Sequence, residues 1–264
     1  MHETVLNFFG FSRLPFSKSL SAKDLFPSAA YGEACARLEY GIGSEDFLLL
    51  TGPIGVGKSV VLAALIQSLD PNTYTPIYIR GNNLGEGELY RAILTALDRQ
   101  PPRYTQPARA MFFSLVPELS RKPIVLIDDA QEVKDATLLS LKSLANFASD
   151  SQLKISFILS GQPELRARLK LAQYLPLKQR IRLFYHMKPM SLEETCRYVD
   201  HHTRIAGNPT PLFSDAAKAE IHRHADGIPR LINTICYRSI ISATVNKKKV
   251  IDSADLFLED PAEG

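Results

Sequence analysis

The segment Gly52-Pro53-Ile54-Gly55-Val56-Gly57-Lys58-Ser59 constrains this chain more than any other feature. Its spacing is G-x-x-x-x-G-K-[ST], and it stands between an apolar run, Phe47 to Thr51, and a helical pattern from Lys58 to Leu69. A glycine-rich turn between a buried strand and a helix aims successive backbone N–H groups at one point, where the helix amino terminus adds partial positive charge. That point suits a phosphate. Lys58 is placed to reach the β- and γ-phosphates of ATP or GTP, the Ser59 hydroxyl to ligate Mg²⁺, and Gly52 through Val60 to line the phosphates.

The surrounding pattern supports this reading. Strand-like runs at Phe47–Thr51, Thr75–Arg80, Pro123–Asp128, Lys154–Leu159 and Arg182–Met187 alternate with helical stretches at 58–69, 86–98 and 136–148. Such alternation predicts an α/β domain whose five-stranded parallel sheet is covered by helices, preceded by a helix over Ala29–Ile42. Asn7 to Phe16 is aromatic, with Gly10 and Pro15 too close together for a regular element. After Pro189 the alternation stops. Ser191-Leu192-Glu193-Glu194 reads as a capping box opening a helix, and two further helices follow. The expected division is an α/β domain over 1–189 and a helical lid over 190–264.

Ile124 to Asp129 is a second strand ending in acid. Paired with the phosphate loop, it places Asp128 on the Mg²⁺ side and Asp129 where an attacking water is polarised. At the end of a further strand, Ser160 either orients that water or merely opens the turn Gly161-Gln162-Pro163. From Leu165 to Leu192 there is no acid but seven basic residues: Arg166, Arg168, Lys170, Lys178, Arg180, Arg182 and Lys188. The run reads as a solvated surface, or Arg180 projects onto a neighbouring subunit's γ-phosphate. Arg230, after Pro229, either belongs to a plain helix start or folds over the nucleotide.

Composition narrows the remaining classes. The 264 residues are 45% hydrophobic and 22% charged, which is ordinary for a globular chain. No uncharged apolar run reaches the length of about 18 residues that a membrane span needs. The amino terminus lacks a signal-peptide pattern, and Cys35, Cys196 and Cys236 have no metal-ligand spacing, so a reduced, cytoplasmic chain is expected. The net charge of +3 is uneven: residues 250–264 carry five acids and no base.

Taken in order, these motifs resemble the AAA+ ATPases of the ExeA/GspA-like group, which takes in the transposition ATPases TnsC, TniB and Mu B. The resemblance spans about residues 4–258. It rests on Phe8-Phe9-Gly10-Phe11 with Pro15-Phe16, the phosphate loop, Asp128-Asp129-Ala130-Gln131, Ser160-Gly161-Gln162-Pro163-Glu164-Leu165, Gln179-Arg180-Ile181, and Gly227-Ile228-Pro229-Arg230-Leu231-Ile232-Asn233. It implies Ser160 as sensor 1, Arg180 as arginine finger, Arg230 as sensor 2, and Pro15 and Phe16 beside the adenine. The group usually has Asp-Glu where this chain has Asp128-Asp129. Aspartate sets its carboxylate about 1.5 Å further back, so slow hydrolysis is expected.

Two functions fit the resemblance. In the first, ATP drives assembly of a ring or filament on double-stranded DNA that recruits a transposase. Phosphate contacts would come from Arg103, Arg121, Lys122, Lys134, Lys142, Lys247, Lys248 and Lys249. In the second, the chain is an ATPase of secretion or envelope assembly. Those proteins carry a membrane segment and a peptidoglycan-binding part after the ATPase module. The sequence ends at Gly264 with neither, and on fold-level analogy together with that absence transposition is the expected function. A third reading is an ATP-gated scaffold.

Overall fold

A computed structural model of the chain describes residues 2–17, 21–42, 47–150 and 155–258; at 22, 142 and 145–150 it describes the backbone alone. In chain order the elements are α1 (His2–Phe9), α2 (Ala29–Ile42), β1 (Phe47–Thr51), α3 (Lys58–Ser68), β2 (Tyr74–Arg80), α4 (Glu86–Ala96), α5 (Thr105–Leu115), β3 (Lys122–Asp128) and α6 (Asp135–Asp150). They continue with β4 (Ser156–Gly161), α7 (Pro163–Arg168), α8 (Leu175–Lys178), β5 (Ile181–His186), α9 (Leu192–Ile205), α10 (Asp215–Ala225) and α11 (Pro229–Val245). They fall into two compact units. One comprises Glu33–Pro53 and Lys58–Met187; the other comprises Met1–Gly32, Ile54–Gly57 and Lys188–Gly264.

The larger unit is built on a five-stranded parallel sheet in the order β2-β3-β4-β1-β5. The three central strands, β1, β3 and β4, are almost wholly buried, which is why they read as unbroken apolar runs rather than as alternations. Phe47, Leu49, Val125, Ile127, Phe157 and Leu159 project from one face into a core with Leu89, Ile93, Phe112, Leu138 and Leu141. Each such apolar side chain contributes about 1.5–3 kcal/mol on burial. Pro76 lies in β2, where the missing N–H is tolerated because the strand is at the edge. The sequence pattern hides α5: Pro101, Pro102 and Pro107 interrupt it, yet Pro107 sits in the first turn, where no intrahelical N–H bond is lost. β4 runs two residues beyond its expected end and so carries Ser160 and Gly161 within the sheet; Lys154, its expected start, lies outside the described residues.

The second unit is helical. Ser191 Oγ accepts the Glu194 N–H at 3.2 Å, and Glu194 Oε2 accepts the Ser191 N–H at 3.1 Å, closing the anticipated capping box at the start of α9. Ser214 likewise caps α10 by accepting from the Ala217 N–H. The amino-terminal aromatic stretch begins as the regular helix α1 and supplies Val5, Phe9, Phe11 and Phe16 to the same core as Val199, Phe213, Ile221, Ile232 and Ile240. The expected division put 1–189 in one domain; packing groups 1–32 and 54–57 with the carboxy-terminal helices. No described helix is long and apolar enough to cross a membrane.

Candidate active site

In the sheet unit, β1 delivers the chain into the loop at Gly52, whose N–H donates to the Gly161 carbonyl at the end of β4 (3.3 Å). Lys58 opens α3. Its side chain is buried and curls back over the loop, the ammonium donating to the carbonyls of Gly52 (2.8 Å) and Pro53 (2.9 Å). Next to it, the Ser59 hydroxyl donates to Asp128 Oδ2 at 2.6 Å. A hydroxyl and a carboxylate brought together from the first turn of α3 and from the end of β3 are hard oxygen donors of the kind Mg²⁺ takes. The residues present therefore fit a Mg²⁺–nucleotide.

Asp128 is buried, and both of its oxygens are engaged. Oδ1 accepts the Ser160 hydroxyl at 2.8 Å from the neighbouring strand β4 and the Asp129 N–H at 3.0 Å. Oδ2 accepts Ser59 and also the Tyr78 hydroxyl at 2.9 Å. Four donors fix this carboxylate in one orientation, each contributing the larger free energy of a hydrogen bond to a charged group. Ser160, read above as orienting the water or as opening the turn Gly161-Gln162-Pro163, is fully buried within β4 and bonded to Asp128.

Asp129 leaves the strand in the left-handed region, φ 52° and ψ 41°, which aspartate tolerates better than most residues. Its half-buried carboxylate accepts the Gln131 side-chain amide at 3.2 Å. The turn is clamped from below. The Gly81 N–H donates to the Asp128 carbonyl at 2.6 Å, and a Cβ on Gly81 would lie 2.3 Å from the Asp129 carbonyl oxygen. Only glycine permits that approach. Arg168 closes the other side, donating to the carbonyls of Gln131 (3.1 Å) and Val133 (2.7 Å) and pairing with Asp135.

Gly55, φ +82°, is grouped with the helical unit, where its carbonyl accepts the Arg230 N–H at 3.3 Å. A Cβ on Gly55 would lie 2.7 Å from Arg230 Cβ. The Arg230 side chain itself is exposed. Pro15 and Phe16, expected beside an adenine, are buried in the helical unit, where Phe16 stacks on His202 with centroids 5.0 Å apart. Arg180, in the sheet unit, is exposed just before β5.

The proposed DNA contacts are placed variously. Arg103 and Lys134 are exposed, Arg121 donates to the Pro71 carbonyl, and Lys122 donates to the Ile42 carbonyl at 2.6 Å. Lys247 is exposed, Lys248 pairs with Asp255, and Lys249 lies 3.8 Å over the Phe8 ring. The side chain of Lys142 lies outside the described residues, as do three of the five terminal acids, at 259, 260 and 263. Sequence reasoning assigned no role to Tyr78 or Gln131 and placed Arg168 in a solvated basic run, whereas its side chain is largely buried against the Gln131 and Val133 carbonyls. The available signal for Tyr78 was its spacing: two residues before Arg80, it shares the face of β2 whose register leads to Asp128.

A family model described as an AAA domain matches residues 42–169. General secretion pathway protein A of Aeromonas hydrophila is 35% identical over an aligned length of 259, covering 95% of this chain and 47% of that protein. Three solved structures share the fold. Cdc6p of Pyrobaculum aerophilum has a TM-score of 0.72 at 19% identity, covering 89% of this chain and 66% of that one. The Thermotoga maritima RuvB Holliday junction branch migration motor scores 0.60 at 18% identity, covering 91% and 70%, and a Walker-type ATPase of Pyrococcus abyssi scores 0.64 at 19%, covering 88% and 72%.

The secretion relative overturns the expectation of a transposition regulator. That expectation leaned on the absence of further segments after Gly264, but this chain spans about half the length of the relative, so its end carries no functional information. The buried sheet, the phosphate loop and the acid-ended β3 make this an AAA-type P-loop NTPase fold, similar across nearly its whole length to General secretion pathway protein A.

Proposed function

We propose that the chain is the ATP-hydrolysing module of a protein serving secretion or envelope assembly. The convergence of Ser59 and Ser160 on Asp128 carries the ATPase reading. The 35% identity with a general secretion pathway protein supports the setting. Ser59 and Asp128 would hold Mg²⁺, which when bound neutralises charge on the β- and γ-phosphates. Lys58 turns from its loop carbonyls to the phosphates, and the loop N–H groups cradle them. Asp129 orients a water and takes its proton. The new oxygen–phosphorus bond forms at the γ-phosphorus while the bridging oxygen leaves with ADP. Ser160 holds Asp128, and Arg230 answers to the phosphate state. In a self-assembled form Arg180 reaches a neighbouring copy's γ-phosphate. Turnover is slow because Asp129 is a methylene shorter than glutamate.

Phosphate release and nucleotide binding test this together. The chain should bind ATP with Mg²⁺ and release phosphate; Lys58→Ala should lose binding, and Asp129→Asn should bind without release. ATP affinity no better than that of Lys58→Ala would refute the nucleotide reading. Normal protein export from a host lacking the gene would refute the secretion setting while leaving the ATPase intact.

A further inference from the structure

Between the two acids and the end of β4 lies one side chain with both ends committed. Gln131 Oε1 accepts the Gln162 backbone N–H at 3.0 Å, and Gln131 Nε2 donates to Asp129 Oδ1 at 3.2 Å. The amide orientation is chemically forced. A backbone N–H can only donate, so the carboxamide oxygen must face Gln162, and the amino group must then face the carboxylate. The main chain of Gln131 is also held, through the Arg168 guanidinium on its carbonyl. Asp129 meanwhile sits in a left-handed turn just after β3, with its carboxylate half-buried.

We propose that Gln131 is a positioning residue for Asp129, fixing the water-activating carboxylate to the end of β4 by a single donated hydrogen bond. This rests on the ATPase reading above. β4 and the residue that follows it then reach both acids of the site: Ser160 bonds Asp128 directly, and Gln162, the first residue past the strand, reaches Asp129 through Gln131. A shift at the end of β4 is felt by both carboxylates at once. The short side chain of Asp129 makes the restraint matter more, because a carboxylate set back from its water tolerates little further misplacement. Errors of about 1 Å cost catalysis about a hundredfold.

Gln131→Ala and Gln131→Glu separate this role from simple packing. Glutamate keeps the length of the side chain and an oxygen for the Gln162 N–H, but it replaces the donor to Asp129 by an acceptor. Both variants should lose about ten- to a hundredfold in kcat for phosphate release. Their ATP dissociation constants should stay within about twofold of the parent, since the hydrogen bonds of the amide go to Gln162 and Asp129. Recovery of kcat in Gln131→Glu would show that only bulk and the Gln162 contact matter and would overturn the proposal. So would an unchanged kcat in Gln131→Ala. If the parent chain binds ATP but shows no release above Asp129→Asn, Asp129 is no base and this proposal falls together with the ATPase reading.

Discussion

The hydroxyl of Tyr78 donates to Asp128 Oδ2, the oxygen that also accepts Ser59. Burial, reinforced by that carboxylate, raises the Tyr78 hydroxyl to about 12; burial does the same to Tyr90. Both groups are therefore neutral in the folded chain at a pH where unfolded tyrosine ionises. Their contribution to stability is intact below pH 10 and is lost as the pH climbs from about 10 through 12. Denaturant midpoints measured from pH 9 to 11.5 should fall, and Tyr78→Phe should flatten the decline. An identical slope in the variant would mean that Tyr78 titrates normally.

Ser160→Ala tests the buried bond across neighbouring strands. Losing this donor leaves Asp128 Oδ1 with the Asp129 N–H alone. The unfolding free energy should drop by about 1–3 kcal/mol. Phosphate release should fall as well, because the acid that pairs with Ser59 loses one of its four fixing bonds. A variant as stable as the parent would mean that water replaces the hydroxyl without cost.

Gly81→Ala pushes a methyl against the Asp129 carbonyl, which stands 2.3 Å from the position of that carbon. Relief requires movement of the left-handed turn. We expect a loss of about 1–3 kcal/mol in stability and a sharper loss in turnover than in ATP affinity. Calorimetry reads the stability, isothermal titration the affinity and phosphate release the turnover; equal losses in affinity and turnover would point to general unfolding instead.

In the helical unit, burial lowers His202 to about 3, with smaller contributions from His201 and Arg13. The ring is stacked on Phe16, and its Nδ1 has no hydrogen-bond partner among the described residues. The unfolded chain takes up a proton near pH 6.5 that the folded one refuses. Stability is thus full above that pH and declines toward pH 3, approaching about 1.4 kcal/mol per pH unit. Acid unfolding of His202→Phe should show a shallower slope; an unaltered slope would place the titrating group elsewhere.

What was legible in the sequence follows from how local its causes are. The bounds of α2 and β1 match their expected residues, since an uninterrupted helical or apolar period needs no distant partner to be read. The loop and Asp128 carry a spacing that states its own chemistry. Tyr78, Gln131 and Arg168 are different, because each matters through a bond to a residue brought near by strand register or by a turn. The transposition reading failed for another reason. It rests on fold-level analogy and on what the sequence does not contain, and no hydrogen bond or packing contact stands behind it.

β4 separates β1, which feeds the phosphate loop, from β3, which ends in Asp128. Neighbouring strands lie about 4.8 Å apart, so two backbone ladders set a gauge of about 10 Å across the site, and its length is written in peptide hydrogen bonds rather than in side chains. A methyl gained or lost in the core leaves that gauge alone. A single residue inserted within β4 does not, for every side chain beyond the insertion then faces the opposite side of the sheet. Ser160 would turn away from Asp128, with both the loop and the acid still intact. The dimension of this active site is a property of register.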